Sequence, residues 1–223
     1  MNMKVDFFDN SISISNEFVN VIEIENKKYF YRFINALNDI AINGFSDEIL
    51  FFDNTEKNMN GKVKLIIDYF NFGFDAKGYD KEINKLVNNL INEEEKNNLI
   101  SQYNKIKKIY NRILNNIDLP LSIENDINIE NITKMIKIGI KSSNELLDNL
   151  FLLIDLEKIL KTNCIIFFVN LKQYLNDNEL IELYKYSIYN QVNIILVDSQ
   201  AYGCTIEYEK KLIIDQNLDE FMI

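Results

Sequence analysis

The chain of 223 residues has no histidine and no tryptophan, and only one proline, six glycines and two cysteines. Without His there is no imidazole acid, base or metal ligand, and no Ser-His-Asp triad. Cys164 and Cys204, far apart in the chain, cannot build a four-thiolate zinc site. A single proline argues against long irregular loops. Gly-x-x-x-x-Gly-Lys-Ser/Thr occurs nowhere, so no glycine-rich turn is available to wrap phosphates. Positive charge is also in deficit: 24 basic against 34 acidic side chains give a net charge of −10, which sets the whole-chain field against indiscriminate nucleic-acid affinity. Long apolar runs are missing too. Leu146 to Leu156 is broken by Asp148, Asn149 and Asp155, well short of the roughly 18 residues of a spanning helix. The start, MNMKVDFFDN, carries acids where a secretory signal has basic residues. These absences lead to the expectation of a soluble, cytoplasmic protein that does not enter a membrane and keeps both thiols reduced.

What is present is enough for a core: 47% of residues are hydrophobic. Residues 3 to 24 read as short strands, of which Val19 to Ile24 is the best. A helix follows from about Tyr29 to Ile40, with Phe30, Phe33, Ile34 and Leu37 as its apolar stripe. Ile49 to Asp53 and Val63 to Tyr69 read as further strands, so the first 70 residues read β-β-α-β-β. Asn71 to Tyr79, with three aromatics and two glycines, reads as a loop.

From Asp80 the apolar spacing becomes helical. Asn92 with Glu95 predicts the capped start of a second leg helix carrying Leu99, Tyr103, Ile106, Tyr110, Ile113 and Ile117, closed by Pro120. Residues 128 to 138 read as another helix, with Gly139 just past its end. Ser142 with Glu145 reads as a capping box for a helix over 143–161. Strand character then returns at Cys164 to Val169 and Val192 to Val197, joined by a helix over 181–189, which predicts a parallel right-handed crossover. Cys164 in that first run reads as a buried, inert thiol. A closing hairpin is expected from 206–208 and 211–215. The fold class is α/β: a head of 1–72 and 146–223, interrupted by a helical leg of 73–145.

Three features bear on chemistry. The strand, turn and helix around Lys27 and Lys28 sit where a phosphate loop would, and Asn170 ends a strand where a phosphate-loop ATPase places a magnesium-binding Asp; neither has the residues that chemistry needs. Oxygen donors cluster at Asp118, Glu124, Asn125, Asp126, Asn128 and Glu130, of a type that suits Ca²⁺ but not in EF-hand spacing. From the residues alone the favoured reading is an acidic loop whose Asp126 or Asn128 caps a helix. Basic residues are segregated. Lys96 to Ile117 holds five positive charges and no acid; Lys134 and Lys137 share a helix face with Lys141 just beyond; Lys57, Lys62 and Lys64 lie between two strands. Lysine patches suit sequence-blind phosphate contact, and solvated surface is the plain alternative. Glu17, Glu23 and Glu25 do not form a two-metal nuclease pattern. The residues alone thus yield an α/β protein with a helical insertion and no visible catalytic site.

Several stretches together resemble a known family. They are Lys4-Val5-Asp6-Phe7, Ile49 to Asp53, Leu65 to Asp75, Ile129 to Gly139, Cys164 to Asn170 with Tyr174-Leu175, and Ile194 to Asp198. Their order and spacing are similar to the accessory spacer-acquisition protein of type II-A CRISPR systems. The resemblance implies a head with a degenerate P-loop-ATPase-like sheet plus an inserted helical leg. It implies a non-enzymatic, homotetrameric ring that binds double-stranded DNA ends and is stabilised by Ca²⁺. Its partners would be the CRISPR integrase proteins and the RNA-guided nuclease, during capture of new spacers. It marks Asp118, Glu124, Asp126 and Glu130 as Ca²⁺ ligands, although Pro120 and Leu121 replace acids expected in that hinge. With the segregated lysines it marks Lys57, Lys62, Lys64, Lys134, Lys137 and Lys141 for DNA. The competing expectations are a nucleotide-binding P-loop-like module and a pure protein-interaction scaffold.

Overall fold

Strands with apolar residues on both faces must be covered on both faces, and β3 (Val19–Ile24), β6 (Ile165–Val169) and β7 (Asn193–Asp198) meet that condition: nearly every residue in them is buried. In a computed structural model of the chain, all residues are described apart from 54, 56, 71–78, 124–128 and 137, and apart from the side chain of Asp80. The chain divides into two compact units, residues 1–72 with 143–223 and residues 73–142, here called head and leg.

The head contains β1 (Asn2–Val5), β2 (Ile12–Ser13), β3, α1 (Lys27–Asn43), β4 (Ile49–Phe52) and β5 (Val63–Ile66). After the leg it continues with α5 (Leu146–Leu160), β6, α6 (Asp177–Asn190), β7, β8 (Glu209–Ile214) and β9 (Glu220–Met222). Six strands form one sheet in the order β5-β6-β7-β3-β8-β9, parallel except for β9. The β6-α6-β7 crossover is parallel, as its spacing predicts. A separate antiparallel sheet runs β2-β1-β4. Period-two alternation divides the large sheet. Ile22, Ile24, Phe167, Ile195, Val197 and Leu212 join Phe33, Leu37 and Ile40 of α1 and Met3, Val5 and Phe51 of the small sheet in one core. Val21, Glu23, Leu196, Asp198 and Lys211 point to the other face, that of Tyr184 on α6.

The structure differs from the sequence reading at several ends. The first 70 residues are β-β-β-α-β-β and fall into two sheets. β5 stops at Ile66, and Tyr69 turns back so that its hydroxyl donates to the Val169 carbonyl at 3.0 Å. No strand forms over 206–208. Instead β8 inserts beside β3 in parallel, and its hairpin partner is β9. The box expected from Ser142 and Glu145 is absent: α5 starts one turn later, and Glu145 makes no side-chain cap. Asn149 reaches back instead, accepting from the Ser143 amide at 2.8 Å and donating to the Ser143 carbonyl at 2.9 Å.

The leg contains α2 (Asp80–Leu90), α3 (Glu93–Leu114) and α4 (Ile129–Ile136). The α3 start forms as predicted. The Glu95 amide donates to Asn92 Oδ1 at 2.9 Å, and the Asn92 amide donates to Glu95 Oε2 at 3.0 Å. The helix ends at Leu114, short of Ile117, in a run of tight turns before Pro120. α4 ends at Ile136, and Gly139 does not take the left-handed conformation of a helix-ending glycine. Thr133 is the buried anchor of α4; its hydroxyl donates to Asn88 Oδ1 at 2.5 Å. No described helix is long and apolar enough to cross a membrane.

Candidate nucleic-acid interface

The place where a phosphate loop would sit is closed by its own sequence. Only Glu25 and Asn26 separate β3 from α1. Asn26 Oδ1 accepts from the Lys28 and Tyr29 amides, and the Phe30 amide bonds the Asn26 carbonyl. The first amides of α1 are therefore satisfied internally rather than presented to an anion. Asn170, at the end of β6, takes a left-handed conformation (φ 56°), and its Oδ1 accepts from the Ser199 amide at 2.8 Å. It ties the end of β6 to that of β7.

The three lysines that follow β4, Lys57, Lys62 and Lys64, differ in what they face. Lys57 pairs with Asp53 and holds that carboxyl below its ordinary range. Lys62 is exposed. Lys64, on β5, pairs with the buried Glu157 of α5, which also accepts from the Thr162 hydroxyl. Lys64 is the least available of the three to an outside anion, because releasing it strands a buried carboxylate.

In the leg, Lys134 and Lys141 are exposed, and Lys137 lies outside the described residues. The apolar set opposite Lys134 is only partly covered: Ile136 is 63% exposed. Asp118 and Glu130 are exposed carboxylates, the oxygen-donor type that Ca²⁺ takes. Glu124 and Asp126 lie outside the described residues. No group of three or more metal-holding side chains occurs among the described ones, so a full Ca²⁺ shell is not assembled from Asp118 and Glu130 alone.

Helix α3 carries the acid-free cations that the sequence places between Lys96 and Ile117. None of its 22 residues is buried. Its apolar residues recur at 99, 103, 106, 110 and 113, the alternating four-and-three spacing of a coiled-coil seam. Yet Ile106, Tyr110 and Ile113 are 51%, 57% and 52% exposed. On the opposite side of the helix, Lys105, Lys108 and Arg112 recur at i, i+3 and i+7, all exposed. Glu93, Glu94 and Glu95 occupy the first turn.

The sequence reading missed a buried ion cluster in the head. Glu23 on β3, Lys172 after β6, and Glu209 and Lys211 on β8 have side chains no more than 2% exposed. Lys172 Nζ lies 2.7 Å from Glu209 Oε1 and 3.4 Å from Glu23 Oε1. Lys211 Nζ lies 3.0 Å from Glu23 Oε1. Tyr184 donates its hydroxyl to Glu209 Oε1 at 2.8 Å; burial and that carboxylate push the phenol pKa well up. The signal was there: Glu23 and Asp198 are acids within or at the end of largely apolar strands.

The chain is thus a two-unit α/β protein whose described residues hold no metal cluster and whose leg displays an apolar and a cationic stripe on opposite sides of one helix. It belongs to the CRISPR-associated Csn2 family, whose model matches residues 44–218. No curated protein matches the sequence. A solved structure from Streptococcus thermophilus, described as the crystal structure of Stu0660, is similar over 96% of this chain and 75% of its own, at 15% identity and TM-score 0.65. That likeness supports the fold. The structure of a bacterial Atm1-family ABC exporter with ATP bound overlays 96% of this chain and 36% of its own at 11% identity, but with a TM-score of 0.42, too weak to build on.

Proposed function

We propose that this CRISPR-associated protein is a non-catalytic binder of double-stranded DNA ends that acts in adaptation, the acquisition of new spacers. It works in the cytoplasm as a homotetrameric ring alongside the CRISPR integrase proteins and the RNA-guided nuclease. The observation that carries the reading is the two-sidedness of α3. Its exposed seam is built to pair with another helix, and a second copy running antiparallel brings the acidic first turn of one α3 opposite the basic second half of the other. Pairing of that kind buries the apolar stripe and leaves Lys105, Lys108 and Arg112 on the outer side, free for phosphates. A local field in a ring depends on which residues line it, not on the net charge of −10. Lys62, Lys134 and Lys141 are further exposed candidates for DNA. The head keeps an ATPase-like strand arrangement without a phosphate cradle.

The test compares binding of linear and sealed circular duplex over a salt series. Preference for linear duplex and a steep loss of affinity with salt support the reading. Equal binding to both forms sinks end-threading, and no binding at low salt sinks the DNA role. Ca²⁺ held through Asp118, Glu124, Asp126 and Glu130 is the proposed ring stabiliser. It predicts a larger solution mass with Ca²⁺ than with a chelator, and a monomer under both conditions removes the ring.

A further inference from the structure

The ion cluster of the head contains one carboxylate too many. Glu23, Glu209 and Asp198 face two ammonium groups, Lys172 and Lys211. Both cations are committed elsewhere. Lys211 spends its three donors on Glu23 Oε1 at 3.0 Å, the Tyr202 carbonyl at 2.8 Å and the Cys204 carbonyl at 2.9 Å. Lys172 is shared between Glu209 and Glu23. Asp198, at the end of β7, is fully buried, and neither of its carboxylate oxygens has a hydrogen-bond partner. A bare buried carboxylate costs several kcal/mol unless it is paired or neutralised.

The same cluster pins the segment 199–208, which links β7 to β8 across the intervening β3. The Tyr202 amide donates to Glu23 Oε2 at 3.1 Å, and the Ile206 amide donates to Glu209 Oε2 at 3.1 Å. The Tyr202 ring also packs against the Lys172 ammonium, 5.5 Å from its centre. Two phenols complete the surroundings, Tyr184 from α6 and Tyr69 from the segment after β5; burial pushes the Tyr69 pKa up.

We propose that Asp198 is a proton-binding site of the folded head, held as a neutral acid, and that losing its proton loosens the strap 199–208. Burial pushes its pKa up to about 7, the Lys172 charge opposes that, and the Glu23 and Glu209 charges add to it. The sign follows. The folded state keeps a proton that the unfolded chain releases near its ordinary value of 3.8. Stability is fully present below that value, falls as pH rises, and levels off above about 7.

The test uses the full chain and the near-isosteric variant Asp198→Asn, which cannot ionise. The ratio of wild-type to variant folding constants, from urea unfolding, is expected to fall by up to roughly tenfold per pH unit between about pH 5 and 7, then flatten. Infrared spectroscopy is expected to show a protonated-carboxyl band at pH 5.5 that is lost by pH 8.5 and missing from the variant. Hydrogen exchange at the Tyr202 and Ile206 amides is expected to match the variant at pH 5.5 and to exceed it at pH 8.5. Parallel stability curves with no such band overturn the proton site. A band that titrates without any change in exchange at the two amides overturns the link to the strap.

Discussion

The head and the leg handle polarity in opposite ways. The head takes Glu23, Lys172, Glu209 and Lys211 out of water and pairs them with each other, while β3, β6 and β7 are covered on both faces. The leg leaves isoleucines and a tyrosine of α3 half in water and buries none of that helix. The head pairs its buried charges within the chain, whereas the α3 seam of the leg stays half in water, the pattern of a helix face that packs against another helix. Each substitution below tests that contrast.

The largest effect is expected in the head. Lys211→Met leaves Glu23 short of its nearest cation and frees the Tyr202 and Cys204 carbonyls. Breaking a buried pair in this way costs about 3–5 kcal/mol. Urea unfolding measures it. Lys211→Met combined with Glu23→Gln removes both charges and is expected to recover a good part of the loss. A double variant worse than the single one would show that the pair is not the coupling unit.

Next comes the seam. Ile106→Glu with Ile113→Glu is expected to weaken self-association by about 2–3 kcal/mol per chain, the scale of burying one such side chain. Light scattering reads it as a lower mass at a given concentration. The head's melting transition should not move. If it does, the stripe supports the fold and not an assembly.

How much of this contrast was legible in the chain follows from range. The α3 cap lies within three residues and was readable from Asn92 and Glu95. So was the β6-α6-β7 unit, whose hydrophobic period changes within one local stretch. The register of β8 beside β3 was not, because Val19 and Glu209 meet only through the completed sheet. The ion cluster is similar: Lys172 and Glu23 are 149 positions apart. The Ser142–Glu145 box, expected but not formed, is a different failure. The pattern was real, but Asn149 offered both backbone groups of Ser143 a better partner. Lys57, Lys62 and Lys64 stand out in the sequence by charge alone; the partners Asp53 for Lys57 and Glu157 for Lys64 do not.

The third expectation concerns the cationic side of α3. Replacing Lys105, Lys108 and Arg112 with Gln should lower affinity for linear duplex about tenfold at moderate salt, or roughly 1.4 kcal/mol. It should also flatten the dependence of log affinity on log salt by up to about 2.7, if all three contact phosphate. Lys64→Gln should do less, since its ammonium already faces Glu157. A larger loss of binding from Lys64 than from the α3 set would move the interface to the head.

The smallest effect is a matter of local structure with an assembly readout. Asn92→Ala removes the acceptor for the Glu95 amide and one half of the reciprocal cap. Such losses cost about 1 kcal/mol of helix stability. In the head, α6 has the same device at Asn176 with Glu179, but its helix is held by Leu180, Leu183 and Tyr184 in the core. Asn176→Ala should therefore lower the head's unfolding free energy by that amount and leave solution mass unchanged. α3 has no buried side chain to hold it, so Asn92→Ala should fray its first turn, displace Glu93 to Glu95 from any antiparallel partner, and show itself in mass before it shows in melting. Equal behaviour of the two cap variants in both measurements would mean that α3 draws its stability from the leg alone, and that its exposed seam is not an interface.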